Sequence, residues 1–311
     1  MNRDFLYSKT NDTENISPEQ LDSEEIEMNK IIDEYIQHPD CKLYIENFKT
    51  IKPICEEVLK QRHPEIKEKE WSKNISINDA IKYAHQFLTT IDSTLADQFM
   101  NLVYQNNNNQ KTLNILPNYI KPYCEKGKAY INYHDKIENM ITLLHEMVHA
   151  MGYSDAMNTN SAYRYLSESP TLIIENLFSK WLVKNKVITQ NDYNLLKEWR
   201  LRDSQDVASK TLMEIALIDM RKKGKYITKK RVLEMIDEKQ HINNFTTREE
   251  CIKYFLMKVL TKRQLYFKES ERYVIGQYIS DKLDKTRNPE KEFLEIYYLA
   301  SNPNITPEKS L

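Results

Sequence analysis

Apolar residues recur at helical spacing along most of the chain, and this period is the main guide to its elements. The first helical segment starts near Ser23, and its predicted apolar stripe consists of Ile26, Ile31, Ile32, Tyr35 and Ile36. The same pattern predicts helices over 41–61 (bent or broken near Pro53), 76–105 (two helices), 169–186, 190–201, 203–224, 229–240, 247–267 and 270–285. Residues 128–134 alternate instead with the two-residue period of a strand. The pattern therefore predicts a mainly α protein with a very small β element.

This pattern divides the chain into three regions. Residues 1–22 are polar and are predicted to be disordered. Residues 23–110 form an N-terminal helical region that ends in the asparagine tract 106–109, a predicted loop. Residues 111–311 carry the strand, the later helices and the candidate chemistry. We expect the two helical regions to pack as one compact unit.

Composition excludes several classes of protein. Only four of the 311 residues are glycine, so the glycine-rich loops that bind nucleotide phosphates are not available. The 45 basic and 46 acidic residues nearly cancel, and they show no asymmetry that would favour a nucleic acid or a membrane as partner. Neither partner is therefore expected.

Cysteine usage and the N-terminus indicate a compartment. The cysteines are far apart and include no CxxC pair, which argues against a disulfide framework and fits a reducing environment. The N-terminus has no apolar leader, and no apolar run reaches the length of a membrane span. We expect a cytoplasmic protein, while export by a route that reads no N-terminal signal stays open.

The helical segment over 136–152 contains the motif His-Glu-x-x-His at residues 145–149. His145 and His149 are one turn apart, so both imidazoles can reach one metal ion. Glu146 lies about 100° round the helix from His145, where it can reach a water on that metal but does not easily join its ligands. This arrangement is typical of zinc-assisted hydrolysis. The alternative is an incidental motif on a partly buried helix of a scaffold protein.

A catalytic zinc site needs a third protein ligand, and the acidic residues downstream supply candidates. Asp155 follows His149 too closely to be the best of them. In the predicted helix that starts near residue 168, Glu168 and Glu175 are two turns apart and share nearly one face. Glu168 could bind the metal while Glu175 accepts a hydrogen bond from an imidazole N–H. Several acidic residues compete for the role of ligand, so the residues alone leave it open.

The stretch "GKAYINYHDKIENMITLLHEMVHAMG", together with "ESPTLIIE", resembles the catalytic region of the thimet oligopeptidase and oligoendopeptidase F family of zinc peptidases. The resemblance covers roughly residues 76–285 and is strongest over 128–180. It implies a helical, zincin-like metallopeptidase domain with one Zn²⁺ per chain. The implied ligands are His145, His149 and Glu168, with Glu175 hydrogen-bonded behind them.

The resemblance also implies roles in catalysis and substrate binding. Glu146 would be the general base, and a tyrosine of the C-terminal part, Tyr273 or Tyr278, would stabilise the oxyanion. The strand, if it lies at a sheet edge, would bind an extended peptide through its main chain, with the participating residues Ala129, Tyr130, Ile131, Asn132 and Tyr133. The chain departs from the family in its short N-terminal region and in having no histidine after His241.

The resulting prediction is a zinc-dependent metalloendopeptidase that hydrolyses oligopeptides or an extended segment of a protein. One variant of it is a dedicated protein-cleaving effector or toxin. A helical binding protein that kept this fold and lost catalysis is the alternative from another class. The sequence predicts neither the cleavage specificity nor the oligomeric state.

Overall fold

The described part of the protein is mainly helical, as its periodicity predicts, with 74% of those residues in helices and few in strands. The computed structural model describes residues 17–38, 45, 48–62, 71–104, 106–107, 110–111, 113–117, 121–153, 166–238 and 270–301. Most of the predicted N-terminal disorder (1–16) and the predicted helix 247–267 lie outside these ranges. Within the described ranges, no helix combines the length and the apolar character that a membrane span requires.

Two compact units divide the chain, and both are discontinuous in sequence. Unit 1 comprises Met1–Arg62 with Ser204–Glu271, and unit 2 comprises His63–Asp203 with Arg272–Leu311. The sequence pattern predicts a boundary between regions at residue 110, but neither unit begins or ends there.

Unit 1 contains helices from both of its chain segments. They are α1 (Ser23–Gln37), α2 (Phe48–Lys60), the later part of α7 (Gln190–Lys222) and α8 (Lys229–Glu238). Helix α2 continues through Pro53. The buried Asn29 side chain holds the chain before α8, because it donates to the Ile227 carbonyl at 2.8 Å and accepts from the Ile227 amide at 2.9 Å.

Unit 2 is built around one central helix. Its helices are α3 (Ile77–Ile91), α4 (Ser93–Tyr104), α5 (Ile137–Gly152), α6 (Ser169–Lys184), the first part of α7, most of α9 (Ser270–Leu283) and α10 (Pro289–Ala300). Twelve of the 16 residues of α5 are buried, among them the apolar residues at helical spacing, Ile137, Met140, Ile141, Leu144, Val148 and Met151. The core of the unit forms around α5. This helix contacts α3, α4, α6 and α10 and the strands β4 (Tyr123–Glu125) and β5 (Lys128–Ile131).

The β structure is more extensive than the single predicted strand. Two short strands, β1 (Asn106–Asn107) and β2 (Gln110–Lys111), pair within the predicted asparagine loop. A second sheet has the order β3-β5-β4, in which β3 (Leu113–Ile115) pairs with β5 in parallel and β4 pairs with it antiparallel. Lys126 and Gly127 both have positive φ (48° and 71°) in the tight β4–β5 turn, which glycine adopts without strain.

One helix is longer than predicted, and another was not predicted. Residues 190–201 and 203–224, expected as separate helices, are the single helix α7 over Gln190–Lys222, because no glycine or proline interrupts that stretch. Helix α10 was not predicted, although Asn288 at its N-cap and Pro289 in its first turn are recognised start signals.

Candidate metal centre

The motif helix α5 starts from a fixed connection to β5. The Asn139 side-chain oxygen accepts from the amides of His134 (3.0 Å) and Lys136 (3.4 Å), which satisfies donors at the start of the helix. The amide of Ile75 donates to the Asp135 carbonyl at 2.7 Å. These contacts hold the approach to α5, while burial of its apolar stripe holds the rest.

His145, His149 and Glu168 form a group that could hold a metal ion. Their ligand atoms all lie within 4.8 Å of one another. Glu168 Oε2 lies 3.4 Å from His145 Nε2 and 3.2 Å from His149 Nε2. The imidazole rings are 4.9 Å apart at an interplanar angle of 74°, as expected for two ligands one helical turn apart.

These separations suit a small tetrahedral ion. Zinc binds histidine and carboxylate at about 2.0–2.2 Å, so two ligand atoms on a tetrahedron around it are about 3.4 Å apart. The two His–Glu distances, 3.4 and 3.2 Å, match that edge. Because hydrogen-bonded atoms can also be this close, the same residues can form a buried ion-pair network when no metal is bound.

Glu175 contacts the other nitrogen of His145. Its Oε1 lies 2.7 Å from His145 Nδ1, so the imidazole can donate there and leave Nε2 free to bind a metal. Glu175 Oε2 accepts from Arg200 Nε at 3.3 Å, and Arg200 also donates to the Ser179 hydroxyl at 2.8 Å. Arg200 was not among the predicted site residues, since it comes from α7 and carries no motif that links it to α5.

Glu168 is held by its place at the start of α6. It occupies the N-cap position itself, so neither Ser167 nor Ser169, which a capping pattern would suggest, takes that place. Its carbonyl accepts from the Leu172 amide at 3.0 Å and from the Thr171 hydroxyl at 2.9 Å. The side chain is 2% exposed, and a carboxylate at a helix N-terminus is favoured by the helix dipole.

The charges of the group are strongly coupled. Burial alone would raise the pKa of Glu168, but His149, His145 and Arg272 hold it well below its usual range. Burial lowers the pKa of His145, but the carboxylates of Glu168 and Glu175 raise it by more. The net result is a pKa well above the usual value. These opposing charges explain how two carboxylates and two imidazoles can be buried together.

Glu146 is buried beside this group, at 7% exposure, on the helix that carries both histidines. Burial raises the pKa of its carboxyl, against the opposing effect of His145 and His149. Strand β4 is close as well: burial and the neighbouring Glu146 carboxylate raise the pKa of the Cys124 thiol to about 12. Cys124 was not predicted at the site, because nothing in the sequence pairs β4 with β5.

The two predicted tyrosines lie on α9 but on different sides of it. Arg272 on this helix contacts Glu168, with Nε 3.3 Å from Oε1. Tyr273 follows it, and its ring lies 5.3 Å from the Arg272 guanidinium. Tyr278 is six residues beyond Arg272, about 120° back round the helix, with the Lys282 amine 4.8 Å from its ring.

The strand expected to bind substrate does not lie at the edge of its sheet, as that role requires. Over Lys128–Ile131, β5 is the central strand of its sheet, so its main-chain groups pair with β3 and β4 and are not available to a peptide. Of the five predicted substrate-binding residues, Ala129, Tyr130 and Ile131 lie in this central strand. Asn132 and Tyr133 follow it, and the Tyr133 hydroxyl donates to the Ile75 carbonyl at 2.9 Å. Asp155, the other acidic residue considered, lies outside the described residues.

Comparison of the chain with protein-family models, with curated protein sequences and with solved structures finds no match. The likeness to the oligopeptidases therefore depends on the motif residues alone.

Proposed function

We propose that this protein is a zinc-dependent metalloendopeptidase with a helical, zincin-like catalytic region in unit 2. The observation that carries the proposal is the meeting of His145, His149 and Glu168 from two helices, with the next residue of the motif, Glu146, buried beside them. Two imidazoles, one carboxylate and an adjacent glutamate are the donor set and base of many zinc hydrolases.

His145 Nε2, His149 Nε2 and Glu168 Oε2 would hold the proposed metal. When bound there, zinc would supply Lewis acidity, which lowers the pKa of a water toward ~7 and polarises a peptide carbonyl. Glu175 keeps His145 in the tautomer whose Nε2 is free, since it accepts from Nδ1 at 2.7 Å. The donor set suits zinc, because imidazole and carboxylate are among its ordinary ligands.

The chain's own groups would carry the proton and orient the peptide. The Glu146 carboxylate takes a proton from the attacking water and passes it to the leaving amine, a role for which a raised pKa is suited. Tyr273 and Tyr278 are both candidates for an oxyanion donor. They lie about 100° and 120° round α9, in opposite directions, from Arg272, the residue that contacts Glu168.

An extended substrate has a strand beside this group to pair with. Among the described residues, β4 pairs with β5 on one side only, and its Cys124 lies near the Glu146 carboxylate. A peptide added to the free edge of β4 would run past the group with its main chain hydrogen-bonded to Tyr123–Glu125. The substrate is thus an oligopeptide or an extended segment of a protein.

The proposal is tested by metal analysis and a peptide library together. The purified protein should contain one zinc per chain, and it should cleave members of a quenched-fluorescent peptide library until a chelator removes the metal. Substituting His149→Ala should remove both zinc and cleavage. A protein that binds no zinc is a scaffold protein with an incidental motif, and one that binds zinc without cleaving any peptide is a binding protein.

A further inference from the structure

The two oxygens of Glu168 have different partners. Oε2 lies 3.4 Å from His145 Nε2 and 3.2 Å from His149 Nε2, at the candidate metal position. Oε1 lies 3.3 Å from Arg272 Nε in an ion pair. A carboxylate can bind a metal through one oxygen or through both, so the partner of Oε1 decides how many coordination positions Glu168 fills.

Arg272 is suited to keep a positive charge beside that oxygen. Its guanidinium stays charged at every pH a protein experiences, and its side chain is only 27% exposed, which limits screening by solvent. The guanidinium also lies over the Tyr273 ring, 5.3 Å from the centroid, in a cation–π contact. Glu168, 2% exposed, cannot turn Oε1 toward water instead.

The helix that carries Arg272 is pressed against the turn that carries Glu168. Gly276, one turn after Arg272 on the same face, is buried, and a Cβ there would lie 2.8 Å from Leu172 Cδ1 and 3.1 Å from the Glu168 carbonyl carbon and oxygen. One further turn on, the Ser280 hydroxyl donates to the Leu172 carbonyl at 3.3 Å. Arg272, Gly276 and Ser280 therefore form one face of α9 that lies along the start of α6.

We propose that Arg272 is a positioning residue that reserves Oε1 of Glu168, so that this carboxylate offers the metal Oε2 alone. This rests on the metal centre proposed above. A ligand set of two imidazoles and one carboxylate oxygen leaves a position for water or a substrate carbonyl, which a catalytic site requires. Gly276 favours the arrangement, because a side chain there would press on the Leu172 side chain and the Glu168 main chain.

Titration of the apoprotein with Co²⁺ tests the proposal without measuring activity. The ligand-field absorption of Co²⁺ weakens as its coordination number rises, so it reports whether Glu168 binds through one oxygen or two. In Arg272→Met, Oε1 becomes available as a second ligand atom, and we expect weaker absorption by the bound Co²⁺. Arg272→Lys keeps the charge and should restore part of the wild-type spectrum. Arg287→Met, at an exposed arginine of the same unit, is the matched control and should match wild type.

The outcomes separate this proposal from the metal centre itself. A wild-type spectrum and affinity in Arg272→Met would overturn the role of Arg272 while leaving the metal centre intact. Lower affinity with an unchanged spectrum would also overturn it, because Arg272 would then only support the fold. A wild-type protein that binds no Co²⁺ overturns the metal centre and the role of Arg272 together.

Gly276→Ala supplies a second, independent arm. The added methyl group must displace Leu172 or the Glu168 main chain, so we expect reduced Co²⁺ affinity in protein that keeps its helical circular dichroism. Thr94→Ala, at an exposed position of α4 in the same unit, is the control for helical content and should keep wild-type affinity. Wild-type affinity in Gly276→Ala would contradict the close packing of α9 on the ligand turn.

Discussion

At the scale of single residues, the polar groups of the candidate centre form a connected chain. Arg200 and His145 share the carboxylate of Glu175, and His145 shares the carboxylate of Glu168 with His149. Each shared carboxylate restricts the rotation of the side chains that contact it. Preorganisation of this kind is what a metal site needs in order to bind without rearrangement.

Glu175 should therefore affect metal binding without touching the metal. Glu175→Gln removes the charge opposite His145 Nδ1 and Arg200, so the imidazole loses its fixed tautomer. We expect zinc affinity to fall about 10- to 100-fold, as measured by competition with a chromophoric chelator. Glu290→Gln, on the exposed first turn of α10, should keep wild-type affinity. Equal affinities for the two variants would show that Glu175 does not orient His145.

The residues of the centre differ in how far the sequence reveals them. The spacing of His145, Glu146 and His149 is enough to identify them as candidates, because one helix sets their geometry. Glu168 and Glu175 share a second helix, and the sequence leaves them as candidates among several acidic residues. Arg200 and Arg272 come from α7 and α9 and reach the carboxylates only through tertiary packing, which no local spacing encodes. Long-range contacts of this kind are what a single sequence does not contain.

At the scale of elements, the start of α7 is fixed by one buried carboxylate. Asp192 and Thr189 cap each other: the Thr189 amide donates to Asp192 at 2.8 Å and the Asp192 amide donates to the Thr189 hydroxyl at 3.1 Å. The same carboxylate accepts from the amide of Ser72 at 2.9 Å and from its hydroxyl at 2.5 Å. Asp192 thereby ties the chain before α3 to the start of α7.

Asp192→Ala should destabilise the protein by about 1–3 kcal/mol, because it removes hydrogen bonds to a charged group and leaves their donors unpaired. Urea unfolding followed by circular dichroism measures the change. Asn191→Ala, at the exposed neighbouring position, is the control and should be within about 0.5 kcal/mol of wild type. A loss no larger than that of the control would mean that the Ser72 and Thr189 contacts contribute nothing.

The contribution of Asp192 should also depend on pH. Burial would raise the pKa of this carboxyl, but hydrogen bonds from Ser72 and Thr189 hold it below its ordinary value of 3.8. A lowered pKa stabilises the fold above the pKa of the unfolded chain, and that stabilisation is lost as the pH falls through the folded value. The urea midpoints of wild type and Asp192→Asn should therefore differ at pH 7 and converge as the pH falls below 3.8. A difference that persists unchanged would contradict this.

The elements show where periodicity succeeds as a guide and where it fails. Helices α3, α6, α8 and α9 start within one residue of their predicted positions. Strands β3 and β4 are three residues long, too short for alternation to stand out from chance, and they are strands only because β5 pairs with both. The pairing that places β5 at the centre of the sheet is therefore invisible in the sequence.

At the scale of the whole molecule, the candidate chemistry belongs to unit 2. His145, His149, Glu168, Glu175 and Arg272 all lie within His63–Asp203 or Arg272–Leu311. A ligand that binds only the folded state stabilises what it binds, by about 2.7 kcal/mol when its concentration is 100 times its dissociation constant. Zinc should accordingly stabilise the elements of unit 2 that surround the site.

Hydrogen exchange measured by mass spectrometry can detect this stabilisation. Zinc should slow exchange of the amides in α5 and α6 and leave those of α1 and α8 in unit 1 less affected. The same experiment on Glu168→Ala should show no zinc-dependent change. Equal protection of both units, or protection that survives in Glu168→Ala, would place the zinc elsewhere.

Glu146→Gln tests the central claim most directly. The substitution keeps the size and hydrogen bonding of the side chain but removes its capacity as a base, so the protein should still bind one zinc per chain. Its cleavage of the best library peptide should be about 10²- to 10⁴-fold slower than that of wild type, the usual contribution of a general base. A zinc-loaded Glu146→Gln protein that cleaves the peptide at the wild-type rate would contradict the proposed mechanism.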